Sequence, residues 1–158
     1  MRSLLVLATL SLVACSGGSG AEDVPERSLE TLRLASLSVR VDDATLDVSA
    51  EAWRSFQPIA DAKEQPLMTL VRVRSTGAPL PASLALDGIY LIRGGEVHAA
   101  MGREEEARAS GARFAEFMVR DGPPWAPGDS IDVVVALRSG GATTLLLRAP
   151  RVAITRVD

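Results

Sequence analysis

The only histidine is the first place where this sequence could carry acid–base or metal chemistry. His98 stands two residues after Glu96, and in a strand that spacing puts both side chains on one face of the sheet. The pair could act as a general base or hold a metal ion; the alternative is a surface cross-strand residue. With one histidine and one cysteine, Cys15, the usual zinc ligand sets are lacking. We therefore expect no metal, no cofactor and no catalytic residue.

Two groups of aspartates raise the question of a calcium site. They are Asp42, Asp43 and Asp47 in one group, and Asp121, Asp129 and Asp132 in the other. Clustered carboxylates are calcium ligands, but neither spacing matches the loop of an EF-hand. Aspartate is also a common turn residue, because its side chain accepts hydrogen bonds from nearby backbone amides. The sequence favours turns at both places.

Trp125 lies in a stretch that cannot form regular secondary structure. Residues 121–129 hold three prolines and two glycines, which break helices and strands. A rigid aromatic loop can bind a ligand or a partner, and Trp125, Asp121 and Asp129 would then be the binding residues. Alternatively, the Trp125 ring folds over the edge of the core and closes it. Trp53 is expected in the core.

Cys15 ends a segment with the pattern of a secretory signal. Arg2 is followed by residues 3–13, which are apolar and uncharged. This run is too short to cross a bilayer, which takes about 20 residues, but it has the length of the apolar part of a signal peptide. No second long apolar run follows. The alternative to a specialised role for Cys15 is an ordinary signal peptide with an unrelated cysteine.

The end of that segment, Leu12-Val13-Ala14-Cys15, resembles the lipobox of bacterial lipoproteins. The resemblance implies that the Cys15 thiol receives a diacylglycerol, that cleavage removes residues 1–14, and that the new amino group is acylated. Two or three acyl chains anchor a protein stably, whereas one holds it only marginally. Under the enterobacterial sorting rule, Ser16 after the cysteine favours the outer membrane.

Composition limits the partners of the remaining chain. The 17 basic and 20 acidic residues give a formal net charge of −3 without a basic cluster, so nucleic acid is not an expected partner. Residues 16–20, SGGSG, are typical of a flexible linker. We predict a signal peptide over 1–14, a lipidated cysteine and tether over 15–30, and one folded domain over 31–158.

The hydrophobic pattern after the linker has period two, which predicts strands rather than helices. Ile131, Val133, Val135 and Leu137 alternate with other residues, and Gly94-Gly95 and Gly140-Gly141 are typical hairpin turns. About eight strands follow one another, and Pro150 separates the last two. The pattern resembles the immunoglobulin-like domains of bacterial envelope lipoproteins. We predict an antiparallel immunoglobulin-like β-sandwich of seven to eight strands, with a small β-barrel as the alternative.

Two segments are left open by the pattern. Residues 51–66 could hold a helical turn, a strand or a loop. Residues 103–110, REEEARAS, could form a short helix or a mobile loop with a solvated charged face.

These features favour a lipid-anchored envelope protein with a non-catalytic domain that acts as a structural or protein-binding module. It would contact the membrane through its lipid and another envelope protein through the 121–129 loop, the 103–111 loop or an exposed strand edge. A small-ligand or glycan carrier using Trp125 is the main alternative. A hydrolase acting through scattered carboxylates is a further one.

Overall fold

The computed structural model describes residues 24–56, 65–141 and 143–158. The predicted signal segment, Cys15 and the linker after it lie outside these residues, and so do residues 57–64. The described elements in chain order are α1 (Leu29–Arg33), β1 (Ser38–Val41), β2 (Ala44–Ser55), β3 (Leu67–Gly77), β4 (Ala85–Arg93), β5 (Glu96–Ala100), β6 (Arg103–Glu104), β7 (Phe114–Gly122), β8 (Ser130–Arg138) and β9 (Thr144–Val157).

The strands of the described chain form one mixed sheet. Their order is β5-β4-β8-β9-β2-β3-β7-β6, and β1 pairs with β2 off this path. The β2–β9 pairing is parallel, and the other pairings are antiparallel. The sheet curls into a half-barrel. The predicted all-β class is confirmed, but the antiparallel immunoglobulin-like sandwich is not confirmed.

The curl brings the two ends of the strand order together. β5 stands first in the order and β6 last, yet only Met101 and Gly102 separate them in sequence. Three Cα–Cα steps span at most about 11 Å, so the two ends of the sheet must lie close. A Cβ on Gly102 would lie 2.5 Å from Ile89 Cδ1 and 3.2 Å from Phe117 Cβ. Any side chain at position 102 would displace these neighbours, so glycine fits best between β5 and β6.

Inward-facing residues of the curled sheet form the main core. Val133, Val135 and Leu137 of β8 are fully buried, as are Val71 and Val73 of β3. They alternate along each strand because successive side chains point to opposite faces. Each buried aliphatic side chain contributes about 1.5–3 kcal/mol relative to leaving it exposed. With its one cysteine outside the described residues, the domain relies on this core.

A smaller core lies on the outer face of β4 and β8. Its buried members are Leu32, Ala35, Tyr90, Ile92, Val134 and Ala136. Helix α1 and the residues around it supply the first two, so this segment covers the outer face of the sheet there. Both faces of β8 are therefore buried, which explains why its sequence is apolar almost throughout.

Tyr90 fixes the residues before α1 to this outer core. Its hydroxyl donates to the carbonyl of Pro25 and accepts from Arg27 Nε at 3.1 Å. Burial raises the pKa of Tyr90 above its ordinary value, so the hydroxyl keeps the proton that it donates. Val24 already packs against this core, upstream of Thr31, where the sequence pattern placed the start of the domain.

The structure agrees with both predicted hairpins and differs at Pro150. β4 and β5 connect through Gly94 and Gly95, and β8 is followed by β9. The predicted strand break at Pro150 is wrong, because β9 continues through it to Val157. The segment 103–110 holds the two-residue β6 and then turns and loop, so the short helix is absent there.

Candidate functional site

The strands β2 and β9 separate in the middle of the sheet. Their parallel ladder covers only residues 52–55 of β2 and 154–157 of β9. Further along, β1 pairs with β2 at residues 44–47, and Ser36 bridges to β9 at Leu147. Between these pairings, residues 48–51 and 149–153 have no ladder partner on the facing side among the described residues. Two strand edges therefore face each other across a gap.

Pro150 and Arg151 of β9 lie at this gap. Proline has no N–H to donate to a ladder, and Arg151 has a left-handed backbone with φ of 54°, which costs a non-glycine residue about 1–2 kcal/mol. Asp132 of β8 stabilises the bend: its Oδ1 accepts from the Arg151 N–H at 2.9 Å, and its Oδ2 accepts from Arg148 Nη1 at 3.3 Å. The register of β8 with β9 shifts at the same place, between Ile131 and Val133.

The gap opens on the outer face as a groove of about 730 Å³, called here the β2–β9 groove. Its lining includes Ser49, Glu51 and Trp53 from β2, and Ala153 and Val157 from β9. Trp53 is half-buried and lies opposite Met68 on one side and Thr155 on the other. The groove thus combines unpaired backbone with an aromatic wall.

The expectation that Trp53 belongs to the core is wrong. Ala52 is the buried residue at this point of β2, and its neighbour in a strand must point to the other face. The side chain of Trp53 therefore lies on the outer face, in the wall of the β2–β9 groove. Sequence reasoning missed this because residues 51–55 were not recognised as a continuation of β2. The alternation of Leu46, Val48 and Ala52 was the available signal.

The other edges of the sheet are less open to a partner. β5 is five residues long and carries the charged Glu96, and β6 pairs with β7 at the far end. Short, charged or covered edges are the usual protection against unwanted strand pairing. Glu105 extends the cover of β7 by donating its N–H to the carbonyl of Glu116. The unpaired backbone in the β2–β9 groove is therefore more accessible to a partner than the sheet edges at β5 and β6.

Trp125 lies in the core rather than on an exposed loop. Its side chain is 7% exposed and belongs to the main core cluster. The Arg93 guanidinium covers the ring, with Cζ 4.9 Å from the ring centroid. Arg54 Nη1 donates to the carbonyls of Pro124 and Trp125 at 3.2 and 3.4 Å. This burial favours the ring as a plug at the end of the core over an open stacking platform.

Arg93 joins two of the residues that the sequence singled out. It donates to Asp129 Oδ2 at 2.9 Å and to Glu96 Oε2 at 2.7 Å, while stacking on Trp125. The hydrogen bonds that Arg93 donates to Glu96 and Asp129 hold the pKa of Arg93 above its ordinary value. The group stays charged and works as an ion-paired cover over the plug. Asp121 is exposed and belongs to β7, which runs to Gly122, so the prediction that all of 121–129 is irregular is wrong for its first two residues. Asp121 takes no part in these Arg93 contacts.

The remaining chemical candidates do not converge. His98 lies opposite Leu91 and is half-buried, and its Nε2 is buried without a hydrogen-bond partner in the described structure. The carboxylate of Glu96 is bound to Arg93 instead. Asp47 pairs with Arg74 at 2.8 Å, and Asp42 occupies the turn before β2 with φ of 52°. Within the described residues, no three His, Cys, Asp or Glu side chains could share a metal ion.

The charged 103–111 segment is also held by internal contacts. Arg108 Nε lies 2.7 Å from Glu104 Oε1, and Arg120 Nη2 lies 2.8 Å from Glu105 Oε1. Arg108 also donates to the carbonyl of Leu84. These contacts connect the segment to Leu84, just before β4, and to Arg120 of β7, so its charges are taken up largely within the domain.

Among the described residues, no helix has the length and apolar character needed to cross a membrane. No family model matches the chain, and neither a curated protein nor a solved structure shows significant similarity to it.

Proposed function

We propose that this chain is a lipid-anchored protein of the bacterial envelope whose non-catalytic β-domain binds an extended segment of another envelope protein. The β2–β9 groove is the observation that carries the binding part of the proposal. It offers unpaired edges of two strands beside an aromatic side chain. An extended peptide can add to such an edge, with main-chain hydrogen bonds for affinity and side-chain pockets for specificity.

The anchor is supported by the sequence before the domain. Leu12-Val13-Ala14-Cys15 follows an uncharged apolar run of signal length. Acylation of Cys15 would provide the two or more chains that stable anchoring requires. Ser16 supports the outer membrane as the destination. The domain would then remain at the membrane through a linker of few residues.

The ion pairs of the domain support a non-catalytic role. A general acid or base needs a carboxylate or imidazole that faces a substrate. Asp129 and Glu96 are instead bound to Arg93, and Asp132 holds the bend in β9. The groove itself contains only Glu51 and Arg151 as charged side chains, one from each strand.

We infer that β5, β4 and β8 on one side and β2, β3 and β7 on the other act as the layers of an immunoglobulin-like sandwich, with β9 shared between them. The main core supports this, because it draws buried residues from both groups of strands.

Cys15→Ser should release the protein from the membrane. The serine hydroxyl is not the thiol that the diacylglycerol transfer uses, so no acyl chain would be attached. Cells fed an alkyne-tagged fatty acid should label the wild-type chain, and the label and the membrane fraction should both be lost in the variant. Ser16→Ala is the control and should retain both. Mass spectrometry of the native protein with Met1 intact, or with Cys15 unmodified, would contradict the anchor.

The groove can be tested with photo-crosslinking residues in the lipidated protein at Ser49 and Glu51, which lie on one face of β2. An extended partner segment should be cross-linked at positions two residues apart, because alternate residues of a paired strand face the same way. Ala153→Arg should fill the groove and lower both cross-links at least tenfold, without changing the melting temperature.

Ala99→Arg is the matched control for this experiment, since Ala99 is an exposed alanine of β5 outside the groove. It should leave both cross-links at the wild-type level. Equal yields in wild type, Ala153→Arg and Ala99→Arg would overturn the groove as the binding site. Cross-links scattered over unrelated segments of many proteins would do the same.

A further inference from the structure

The two most exposed large apolar side chains of the described residues lie close together in sequence. Leu34 is 77% exposed and Leu37 is 57% exposed. On the same segment, Leu32 and Ala35 are buried against the outer face of β4 and β8. Since Leu32 and Leu34 lie on opposite sides of the helical turn at the end of α1, the side chain of Leu34 points away from the sheet.

The N-terminal part of the described chain lies on this same outer face. A Cβ on Gly88 of β4 would lie 2.4 Å from Val24 Cγ1, so Val24 sits directly on the glycine. Tyr90 holds Pro25 next to it, and Arg27 pairs with Asp87 at 3.3 Å. The described chain therefore begins at Val24 on the outer face of β4, the face that the segment bearing Leu34 covers.

The number of residues before Val24 limits how the domain can be oriented. Nine Cα–Cα steps separate Cys15 from Val24 and span at most about 32 Å when fully extended. A domain of this size has a radius of gyration of about 14 Å, and hence a diameter of roughly 35 Å. The attachment is thus no longer than the domain is wide, which keeps the face at Val24 close to the bilayer.

We propose that Leu34 and Leu37 contact the lipid surface to which Cys15 is attached, so that the outer face of β4 and β8 faces the membrane. This orientation rests on the proposed lipid anchor. The attraction is apolar, because Glu26 and Glu30 are exposed on the same segment and offset Arg33. Contact between two leucines and the interface is weak alone, but the anchor raises the effective concentration of lipid at this face.

The orientation can be measured with one environment-sensitive label on the lipidated protein. Since Cys15 is the only cysteine in the sequence and would carry lipid, a nitrobenzoxadiazole label on Leu34→Cys reports one position. The protein is reconstituted into vesicles of phosphatidylethanolamine and phosphatidylglycerol containing a spin-labelled lipid. Phe114→Cys is the control, since Phe114 is 55% exposed on the outer face of β3 and β7, across the curled sheet.

The label at position 34 should be quenched by the spin-labelled lipid at least threefold more than the label at position 114, with emission shifted to the blue. Equal quenching of both labels in protein that floats with the vesicles would overturn the orientation and leave the anchor intact. Protein that does not float would overturn both. A blue shift at position 34 that appears without vesicles and grows with protein concentration would assign the patch to a second copy, and would also overturn the proposal.

Discussion

Val135→Asp should unfold the domain. Val135 is fully buried in the main core, on β8 between Ile89 of β4 and Leu147 of β9. A carboxylate there would be surrounded by apolar side chains without a cationic partner. Leaving a buried charge unpaired costs about 3–5 kcal/mol or more, whereas a domain of this kind has about 5–15 kcal/mol of total stability. We expect insoluble protein, or a melting transition lowered by tens of degrees.

Val97→Asp is the matched control for that substitution. Val97 is 39% exposed on β5, so the same chemical change puts a carboxylate at the surface, where water solvates it. Its melting temperature, followed by circular dichroism, should stay within a few degrees of wild type. A Val135→Asp protein that melts like wild type would show that the inward face of β8 has been wrongly assigned.

Trp125→Ala should cost much more stability than Trp53→Ala, although the two substitutions remove the same side chain. Truncating a buried tryptophan costs about 3–5 kcal/mol, since contacts are lost and a cavity remains. Trp125 also supports the Arg93 guanidinium that stacks on it. Trp53 is only half-buried in the wall of the groove, so its removal should cost about 1 kcal/mol. Urea denaturation of both purified variants measures the difference.

Fluorescence gives an independent check, because the chain has two tryptophans. Trp53→Phe leaves Trp125 as the emitter, and its emission should be blue and resist quenching by acrylamide. Trp125→Phe leaves Trp53, whose emission should be redder and easily quenched. Trp125→Ala with unchanged stability and strong quenching of Trp125 in the Trp53→Phe protein would contradict the plug. That outcome would return Trp125 to the candidates for ligand binding.

The β2–β9 groove and the two exposed leucines, Leu34 and Leu37, have different proposed partners. The β2–β9 groove faces outward between two strands, while Leu34 and Leu37 lie on the segment that covers β4 and β8. Leu37 follows Ser36, whose bridge to Leu147 bounds one end of the groove. In the proposed arrangement that end lies towards the membrane, and the end at Trp53 is left to a partner segment. The two proposals can therefore fail separately, since one is tested by lipid quenching and the other by cross-linking.

Local pattern was sufficient for much of the fold. Strands such as β3 and β8 show period two, and the turn at Gly94-Gly95 joins two such runs. These features depend on residues near one another in sequence, so they can be predicted without knowing the partners of each strand. The prediction that Trp125 lies in an irregular loop is confirmed. It could be made from sequence because a proline restricts the backbone at its own position.

The hydrophobic pattern did not predict structure that depends on contacts between residues distant in sequence. Residues 29 and 30 were assigned to the tether and no helix was expected at 29–33, yet these residues form α1, because the outer face of β8 offers Val134 and Ala136 for Leu32 to pack against. Pro150 was expected to end a strand, but the bend that it produces is stabilised by Asp132 from a neighbouring strand. Neither contact can be inferred from the residues beside it.

By itself, the sequence determined the all-β class, the two hairpins and the order in which apolar and polar residues alternate, since all of these follow from neighbours along the chain. Only the tertiary structure decided that β9 pairs with β8 over its first part and runs parallel to β2 over its last part. That pairing joins residues about one hundred positions apart, Ala52 with Ile154, and the choice depends on which distant edges the core brings together. The β2–β9 groove exists because the two pairings of β9 leave its middle without a partner on one side.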